Sequence, residues 1–543
     1  MPIIVPPAGP KTAKLILIGE SAGETEVIAG YPFAGKAGGM LDKWLVAAGI
    51  DRWKDCYIDN VYPILPPGKK MENVPKEELE EWIEKLYARL AGLPNIHCII
   101  AIGAYALYAL TGYGTQSKLG IPKEKKIGIH ALRGSILSSV TTKIYKVIPI
   151  IHPAALMYSG QFQWEAKCIA DLRKAKQEAA FPELKLPQRN HQIWPSESLV
   201  RATTEVIEEL PANAKIALDI ETWGSTLSCL GVAPNIWISV TIPTSNKELY
   251  EKHIPYIKRI CESRCEKVLQ NGLYDTYWLR DHGIEVNNWK WDTMYMHHAL
   301  DARETHSLEF LASIYTREPY WKNEAKSMDE INKIIKGKTK EDLDRLWTYN
   351  GKDACLTLEI YYALRRELEE KNLLDFYREM YGEMLAPMLD AMTHGVRVNV
   401  EKLEAWSEVL KEEMEQVREE LEKLAGEELW AKKAPARMKL VNFFYKTLKA
   451  PPQRNYKSKT KGLSVDESSL LRVATHSKAT KLQKEAVRLL LLWREKKGEF
   501  DQIYEKWDKD GRMRCSYKFV ETGRFSSSEN PKGSGRNLQN VKR

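Results

Sequence analysis

The chain has 543 residues and a mass of 62.3 kDa, with 43% hydrophobic residues, 28% charged residues and a net charge of +8. This length exceeds what one hydrophobic core usually serves, so we expect about three domains. No segment approaches the roughly 20 apolar residues of a membrane span, the N-terminus lacks the pattern of a secretory signal, and the cysteines form no CxxC pair. These features argue against a membrane protein and a zinc protein. We expect a cytoplasmic protein, in a host cell if its origin is viral, whose mildly basic charge fits a nucleic-acid partner.

Residues 1–178 alternate short apolar runs with helical runs. The apolar runs are KLILIGE, CYIDNVYPI, CIIAIGA and YKVIPIIHP, and the helical runs include GGMLDKWLVAAG and KEELEEWIEKLYARL. Such alternation predicts βαβ units and a parallel α/β sheet. The polar, proline-containing stretch 179–198 then predicts a linker.

Four side chains of this first domain follow its predicted strands: Glu20, Phe33, Asn60 and His152. The carboxyl ends of parallel strands gather where open α/β sheets bind ligands. An aromatic face, an amide and an imidazole suit a pocket for a flipped base, in which the ring stacks, the amide reads the base edge and the imidazole stabilises a departing base. Taken singly, each has an ordinary explanation: packing for Phe33, a cap for Asn60 and a core position for His152.

Several segments of the first domain resemble the uracil-DNA glycosylase superfamily, nearest to its family 4. They are GESAG, YPFAGKAGGMLD, YIDNVYPILPPGKK and IHPAAL. The resemblance implies a glycosylase-like pocket formed by the four residues named above. Two features depart from the family: Ala22 stands where proline is usual, and the cysteines that carry the family's iron–sulfur cluster are missing. We therefore expect no iron–sulfur cluster, and the sequence leaves open whether the domain excises uracil or only binds DNA.

Residues 199–371 form a second predicted domain, α/β at first and more helical later, with four acidic residues suited to divalent cations. Asp219 and Glu221 end the apolar run KIALDIE, and a strand places both side chains on one face. Asp275 lies in QNGLYDTYW and Asp353 in YNGKDACLT. Four converging carboxylates are what two Mg²⁺ or Mn²⁺ ions need to clamp both oxygens of a phosphoryl displacement. Each segment alone also fits a solvated strand end or an ordinary helix face.

Two further side chains precede the later acidic residues by four positions. Asn271 stands before Asp275, and Tyr349 stands before Asp353. On a helix, this spacing places both members of each pair on one face. A phenol beside a metal-bound water can orient that water for attack on phosphorus. The spacing therefore suggests this role for Tyr349.

In this order and at these separations, the three segments resemble the motifs of DnaQ-like 3′-5′ exonucleases, specifically the proofreading domain of family A DNA polymerases. The sequence WDTM at 291–294, which follows the second motif, fits the same pattern. The resemblance implies an RNase H-like fold in which the four carboxylates hold two metal ions. It also implies that Asn271 places a frayed 3′ end.

The third predicted domain, residues 372–543, contains long heptad-like runs at 372–426 and 478–506, which predict long helices and a helical bundle. Near its end, a glycine-bearing turn carries basic and hydroxyl side chains that suit phosphate contact. These side chains are Arg524, Ser526, Ser527, Ser528, Arg536, Lys542 and Arg543. A flexible basic tail is the alternative.

The segments EMLAPMLDAMTHGVRVNVEKLEAW, SVDESSLL, LLLLWREKKGEF, DGRMRCSYKFVETGRFSSSENP and NLQNV resemble the thumb and first palm strands of a family A DNA polymerase. In that family the motifs for nucleotidyl transfer follow NLQN, and this sequence stops at Arg543. The resemblance therefore implies a chain that does not polymerise by itself. We expect a fragment, or one subunit of a split polymerase whose palm and fingers lie on a second chain.

The sequence thus predicts an α/β multidomain protein of DNA replication or repair with a metal-dependent 3′-5′ exonuclease. Its predicted parts are a glycosylase-like domain, an RNase H-like exonuclease domain and a mainly helical thumb with partial palm strands. Two alternatives stay open: a non-catalytic DNA-binding subunit that clamps primer-template for a partner polymerase, and a uracil-DNA repair glycosylase. A glycosylase can be distinguished from an exonuclease and from a DNA-binding subunit by its product, because it leaves an abasic site and needs neither a metal ion nor a free 3′ end.

Overall fold

The computed structural model describes residues 2–159, 164–224, 226–321, 339–431, 434–454, 462–503 and 507–538. They fall into two compact units, Met1–Ala386 and Pro387–Arg543. The first unit combines the first two predicted domains and also takes in residues 372–386, which the sequence assigns to the third. Aromatic packing explains this: Tyr377 stacks on Trp291 with ring centroids 5.6 Å apart, and its hydroxyl accepts the backbone N–H of Asp292 at 2.8 Å.

A five-stranded sheet in the order β2-β1-β3-β5-β4 forms the centre of the first domain. Its strands are β1 (Leu15–Ser21), β2 (Cys56–Tyr62), β3 (Cys98–Ile102), β4 (Leu137–Ser138) and β5 (Lys146–Ile150). The four longer strands are parallel and β4 is antiparallel, which confirms the predicted parallel α/β sheet. One apolar core lies on each face, because the strand residues alternate between the two core clusters.

Eight helices of the described residues surround this sheet. They are α1 (Glu24–Ala29), α2 (Lys36–Ala47), α3 (Arg52–Asp55), α4 (Lys76–Ala91), α5 (Ala104–Thr111), α6 (Ile129–Leu132), α7 (Pro153–Ser159) and α8 (Glu165–Glu178). The helix α5 begins two residues after the end of β3, and α7 begins three residues after the end of β5, so the carboxyl ends of these strands lead into helix N-termini. This is the edge at which the sequence predicts a pocket.

The second domain is built on a six-stranded sheet in the order β11-β10-β7-β8-β9-β6. Its strands are β6 (Asn190–Gln192), β7 (Lys215–Trp223), β8 (Thr226–Asn235), β9 (Ile238–Pro243), β10 (Glu266–Leu269) and β11 (Trp289–Asp292). The strands β7, β8 and β9 are antiparallel neighbours, whereas β10 runs parallel to both β7 and β11. The strand β7 therefore lies inside the sheet, with a partner on each side.

The helices of this domain, with one that follows it in the same unit, are α9 (Glu197–Glu209), α10 (Lys247–Glu262), α11 (Gly272–Asp281), α12 (Thr293–Leu300), α13 (Leu308–Tyr315), α14 (Lys340–Glu370) and α15 (Leu374–Met380). The long helix α14 packs against β7, β8 and β9. It comes close to the sheet because Gly351 has no side chain: a Cβ there would lie 2.5 Å from Ser239 Oγ.

Part of the predicted linker 179–198 belongs to this second sheet. Asn190–Gln192 forms β6 and pairs in parallel with β9. The side chain of the preceding Arg189 is buried and forms ion pairs with Glu318 and Glu359, which hold the strand at the sheet edge. Three residues are too few to show an alternating pattern, so the sequence gives no sign of this strand.

The second unit is mainly helical with short two-stranded sheets. Its helices are α16 (Leu385–His394), α17 (Val400–Ala425), α18 (Arg437–Asn442), α19 (Glu467–Thr475) and α20 (Lys481–Ile503), and its strands are β12 (Val396–Arg397), β13 (Trp430–Ala431), β14 (Ala434–Pro435), β15 (Arg512–Met513), β16 (Cys515–Phe519) and β17 (Phe525–Glu529). The helices α17 and α20 pack together.

The predicted helical run 372–426 is broken before α17. Gly395 ends α16 with φ of +67°, and a Cβ at this position would lie 2.7 Å from the carbonyl oxygen of Met513. Only glycine fits this left-handed, crowded position easily. All eight cysteines are buried and free. Within the described ranges, the helices are all too short or too polar to cross a bilayer.

Candidate active sites

Asp219 and Glu221 lie two residues apart on β7, so their side chains point to the same face of the second sheet. Both are half-buried, whereas Ile220 between them is buried on the other face. Glu221 lies opposite Cys229 on β8. Burial, and then the charges of Glu221 and Asp219, raise the pKa of the Cys229 thiol well above its usual value. The two carboxylates therefore form one negative patch, as the sequence predicts.

Asp275 is linked to the strand β7 by a hydrogen bond. The backbone N–H of Ile220, which lies between the two acidic residues of β7, donates to Asp275 Oδ1 at 3.0 Å. Asp275 is in the first turn of α11 and only 5% exposed. Burial raises the pKa of its carboxyl to about 7, and the nearby charge of Asp292 adds to the effect. A third carboxyl group thus lies beside the strand pair at a considerable desolvation cost.

The long helix α14 supplies the last part of the site. Asn350 donates from Nδ2 to Asp219 Oδ2 at 2.8 Å and to the Asp219 carbonyl at 3.0 Å. Its neighbour Tyr349 is half-buried, and Asp353 follows one turn later on the same helix, which confirms the predicted helical spacing. No sequence pattern indicates a role for Asn350, although it is the residue that joins α14 to the strand carboxylate.

Asp353 is buried and accepts a hydrogen bond from the indole of Trp321. The distance from Trp321 Nε1 to Asp353 Oδ1 is 2.7 Å, and the two side chains are 2% and 5% exposed. Trp321 comes from the segment that follows α13. Nothing in the local sequence around Trp321 predicts this contact, because the two residues come together only in the folded chain.

The sequence predicts that Asn271 lies on a helix face, but it lies just before the helix. It is the N-cap of α11 in the left-handed conformation, with φ of 57°, and the helix begins at Gly272. Its backbone N–H and that of Gly272 donate to the two oxygens of Asp292 at 3.1 and 2.7 Å. Asparagine adopts this conformation more easily than most residues, which explains its use here. Asp292, in the WDTM sequence, thus fixes the turn that precedes Asp275.

These side chains match a hard divalent cation in their chemistry. Carboxylate oxygens from β7, α11 and α14 are the donors that Mg²⁺ and Mn²⁺ prefer, and the hydrogen bonds of Ile220 and Asn350 link these three elements. Over the described part of the chain, however, no three His, Cys, Asp or Glu side chains are arranged closely enough to hold a metal ion. The donor set fits, and the side chains as placed do not form a closed ligand shell.

The first domain brings three of its four predicted residues together. Gly19 on β1 lies opposite Asn60 on β2, and a Cβ on Gly19 would lie 2.3 Å from Asn60 Oδ1 and 2.8 Å from the ring of Phe33. Phe33 in turn stacks on His152, with ring centroids 5.7 Å apart and planes 28° apart. The amide, the aromatic ring and the imidazole therefore meet at the carboxyl ends of the strands.

Glu20 lies one residue beyond Gly19 and faces the start of α5. Its Oε1 accepts the backbone N–H of Tyr105 at 3.0 Å, and Gly103 passes so close that a Cβ there would lie 2.4 Å from the same oxygen. Burial lowers the pKa of His152, and the charge of Glu20 partly opposes this shift. The imidazole is therefore neutral at pH 7, with a carboxylate near enough to favour its protonated form.

Arg52 is a residue of this pocket that the sequence did not indicate. Its buried guanidinium donates to the carbonyl of Pro32 at 2.5 Å and to that of Phe33 at 3.2 Å, and it pairs with Asp42 at 2.7 Å. Phe33 has a φ of 56°, which is rare for an aromatic residue. The guanidinium thus holds the loop in the strained conformation that presents the Phe33 ring.

The candidate phosphate contacts of the second unit lie in different settings. Arg524 and Ser528 are exposed, and Ser526 is half-buried on β17. Ser527 is buried: its hydroxyl accepts the Leu538 N–H at 2.8 Å and donates to Asn537 Oδ1 at 3.1 Å, so the prediction that it contacts a phosphate is wrong.

Arg536 is half-buried and donates from Nη2 to the carbonyl of Asp501 at 2.6 Å. Burial lowers the pKa of its guanidinium. The serines lie on a strand rather than in the turn, because the turn is confined to residues 520–524. Lys542 and Arg543 lie outside the described residues.

Two family models match the chain. Residues 6–173 match the uracil DNA glycosylase superfamily, and residues 200–369 match the 3′-5′ exonuclease domain of family A DNA polymerases. The type-4 uracil-DNA glycosylase of Thermotoga maritima is 32% identical over 164 residues, which are 30% of this chain and 76% of that protein. The type-4 enzyme of Archaeoglobus fulgidus is 29% identical over 194 residues, 33% of this chain and 87% of its own length.

A viral polymerase extends the similarity beyond the first domain. The DNA polymerase of Bacillus phage SP01 is 23% identical over 329 residues, which are 53% of this chain and 33% of the phage protein. The chain thus spans about a third of the length of this polymerase. These matches define a DNA-processing protein with two enzyme-type domains. The chain belongs to the uracil-DNA glycosylase superfamily through its N-terminal domain, and it carries a 3′-5′ exonuclease domain of the family A polymerase type.

Proposed function

We propose that this chain removes nucleotides from the 3′ end of DNA by metal-dependent hydrolysis, as the proofreading part of a family A DNA polymerase. One observation supports this most directly. The hydrogen bonds from Ile220 to Asp275 and from Asn350 to Asp219 join carboxylate-bearing segments of β7, α11 and α14 at one place. These segments are far apart in sequence, and an ordinary strand end or helix face does not need such a junction.

In the proposed reaction, water attacks the terminal phosphorus, a P–O bond forms, the bond to the 3′ oxygen breaks, and the proton ends on that oxygen. The products are a nucleoside 5′-monophosphate and a strand shorter by one nucleotide. Mg²⁺ or Mn²⁺ would polarise the phosphate and activate the water. Asp219, Glu221, Asp275 and Asp353 would hold the ions. Tyr349 would orient the water.

The chain has several further proposed partners and properties. Asn271 places the frayed 3′ end, and Arg524, Ser526 and Arg536 contact the DNA backbone. A second chain with the palm and fingers completes the polymerase, and the protein is located in the cytoplasm. Incubation of this chain with a primer-template and the four dNTPs tests whether a second chain is needed. Extension of the primer by this chain alone would contradict the proposed second chain.

A 5′-labelled primer with a mismatched 3′ end tests the exonuclease. The wild type is expected to shorten the primer stepwise in Mg²⁺, and Asp219→Ala with Glu221→Ala is expected to leave it intact while still binding it. Glu251→Ala, at an exposed position of α10, is the matched control. Shortening by a clean double mutant would disprove the site. Binding without shortening by the wild type would favour a DNA-clamping subunit.

A second candidate function is uracil excision by the first domain. The contact of Phe33 with His152, next to the Asn60 amide, favours it, because this arrangement can stack and read a flipped base. Excision needs no metal, so the assay uses a uracil-containing strand in EDTA followed by alkaline cleavage of abasic sites. Wild-type cleavage that is lost in Asn60→Ala would support excision. No abasic sites with the wild type would leave the domain a DNA-binding role.

A further inference from the structure

The segment 316–321, between α13 and the start of the undescribed residues, touches both domains of the first unit. Its Tyr320 packs against the apolar core of the glycosylase-like domain. The next residue, Trp321, contacts the exonuclease carboxylate Asp353. Adjacent residues of one short segment are therefore built into two different domains.

On the exonuclease side, Glu318 and Trp321 fix the segment to α14. Glu318 pairs with Lys352 of α14 at 3.6 Å, and its carboxylate also accepts a hydrogen bond from Arg189, before β6, at 3.1 Å. The Trp321 indole donates to Asp353 Oδ1 at 2.7 Å. Glu318 is 7% exposed, so this anchor is an interior one.

On the glycosylase side, Arg317 donates from Nη2 to Glu178 Oε2 at 2.9 Å, at the end of α8. Glu178 is itself buried and also accepts the ammonium of the buried Lys146, which extends from β5. The neighbouring helix α13 is held similarly, because Lys174 on α8 donates to the carbonyl of Ser313 at 2.7 Å. Arg317 therefore ties the segment to α8 of the first domain, and Lys174 ties the preceding helix α13 to the same helix.

We propose that Trp321 is a positioning residue for the exonuclease carboxylate Asp353, and that its segment anchors it on the glycosylase-like domain. The inference rests on the proposed exonuclease function. A carboxylate held at one oxygen by a fixed donor keeps one orientation, which sets where its other oxygen lies. Donors behind a metal ligand commonly change metal affinity or activity by about 10–100-fold when removed. Trp321 is such a donor, and it reaches Asp353 from outside the sheet and helices that carry the four carboxylates.

The test compares two tryptophans that donate to the same helix. Trp321→Phe keeps an apolar ring and removes the N–H, while Trp194→Phe removes the indole that donates to Asp344 on α14. We expect Trp321→Phe to lower kcat for 3′-end removal about 10–100-fold and to raise the Mn²⁺ concentration for half-maximal rate. The KM for DNA is expected to stay unchanged. The melting temperature is expected to fall, because the buried indole is replaced by a smaller ring and Asp353 loses a donor, so rates are compared at a temperature where both variants are folded. Trp194→Phe is expected to behave as the wild type, and equal behaviour of the two variants would overturn the proposal.

Calorimetric titration of the full chain with Mn²⁺ tests whether Trp321 positions Asp353 and does not depend on exonuclease activity. Weaker Mn²⁺ binding in Trp321→Phe than in Trp194→Phe supports the positioning role, and equal binding contradicts it, even if the wild type proves inactive and the proposed exonuclease function fails. Arg317→Gln tests the anchor without touching the core: we expect a lower exonuclease rate, and no further loss when it is combined with Trp321→Phe. An unchanged rate in Arg317→Gln would refute the anchoring by the first domain.

Discussion

The backbone N–H of Ile220, the residue that separates Asp219 from Glu221 on β7, donates to Asp275 Oδ1 of α11 at 3.0 Å. The hydrogen bond explains why Asp275 stays in this buried position although burial raises its pKa to about 7. The hydrogen bond also fixes the position of Asp275 relative to β7, because the donor is the strand residue between Asp219 and Glu221. The carboxyl group of α11 is thus held by the strand that carries its partners.

Replacement of Asp275 by asparagine is the first test of this arrangement. The amide oxygen can still accept the Ile220 N–H, so the fold is expected to survive, while a metal ligand and a negative charge are lost. Metal-ion stabilisation of the transition state is worth several kcal/mol, so we expect 3′-end removal to fall at least about 100-fold. Asp281→Asn, at the exposed end of the same helix, is the control. A labelled-primer assay and circular dichroism measure both; near wild-type activity of Asp275→Asn would show that Asp275 is no ligand.

The glycosylase-like pocket is tested by a change at Gly19. A Cβ at Gly19 would lie 2.3 Å from Asn60 Oδ1 and 2.8 Å from the ring of Phe33, so Gly19→Ala must displace one of the two. Overpacking of this kind costs about 1–3 kcal/mol. Because the strain falls on the two pocket residues, we expect uracil excision to fall about 5- to 150-fold. Gly39→Ala, where a Cβ meets nothing within 4 Å, is the matched control. Equal excision by the two variants would mean that this pocket does not bind the base.

The sequence predicted the carriers of both sites well, because each rests on a local pattern. Apolar runs gave the strands β1 and β7, and the spacing from Tyr349 to Asp353 gave one helix face. The sequence did not predict the roles of Asn350 and Trp321, which depend on contacts with Asp219 and Asp353 that are distant along the chain. A local periodicity does not indicate such long-range contacts.

The same limit applies to backbone conformation. Four-residue spacing suggests a helix for Asn271 and Asp275, yet Asn271 is left-handed because Asp292 binds its N–H and that of Gly272. Ser527 shows the corresponding error for exposure. A serine in a basic, glycine-bearing segment suggests a surface contact, whereas Ser527 is buried and accepts a hydrogen bond from the N–H of Leu538.

Replacement of Arg52 is expected to lower both the stability of the fold and the rate of uracil excision in the glycosylase-like pocket. Its guanidinium holds the carbonyls of Pro32 and Phe33, so Arg52→Met keeps the apolar stem and releases the loop that carries the Phe33 ring. Breaking a buried pair costs about 3–5 kcal/mol. Because Asp42 is half exposed and can be solvated, we expect a smaller loss of about 2 kcal/mol.

Thermal unfolding and uracil excision measure this effect together. Arg52→Met is expected to melt several degrees lower and to excise uracil more slowly even at temperatures where it is fully folded. Arg259→Met, which removes a surface pair with Glu208, is expected to change neither. If Arg52→Met lowered the melting temperature and left excision unchanged, the guanidinium would have only a structural role.

The last prediction concerns pH and a buried histidine pair. His297 on α12 and His306 share a hydrogen bond of 2.7 Å between their Nδ1 atoms, so one of the two rings must be the acceptor and lack a proton there. Burial, followed by repulsion from His306, lowers the pKa of His297 to about 3, and burial with repulsion from His298 lowers that of His306 to about 4. Asp301 and Lys371 also face His297 and act in opposite directions.

Because these folded pKa values lie below the unfolded value of about 6.5, the unfolded chain binds more protons in acid. The stabilisation is fully present above pH 6.5 and is lost progressively as the pH falls toward the folded pKa values of about 4 for His306 and about 3 for His297. From pH 7 to pH 5, His297 alone should reduce the free energy of unfolding of the first unit by about 2 kcal/mol. Urea unfolding at the two pH values measures this, and His297→Asn is expected to weaken the pH dependence. His476→Asn, at an exposed position of the second unit, serves as the control, and an unchanged pH dependence in His297→Asn would show that the histidine pair does not cause the acid sensitivity.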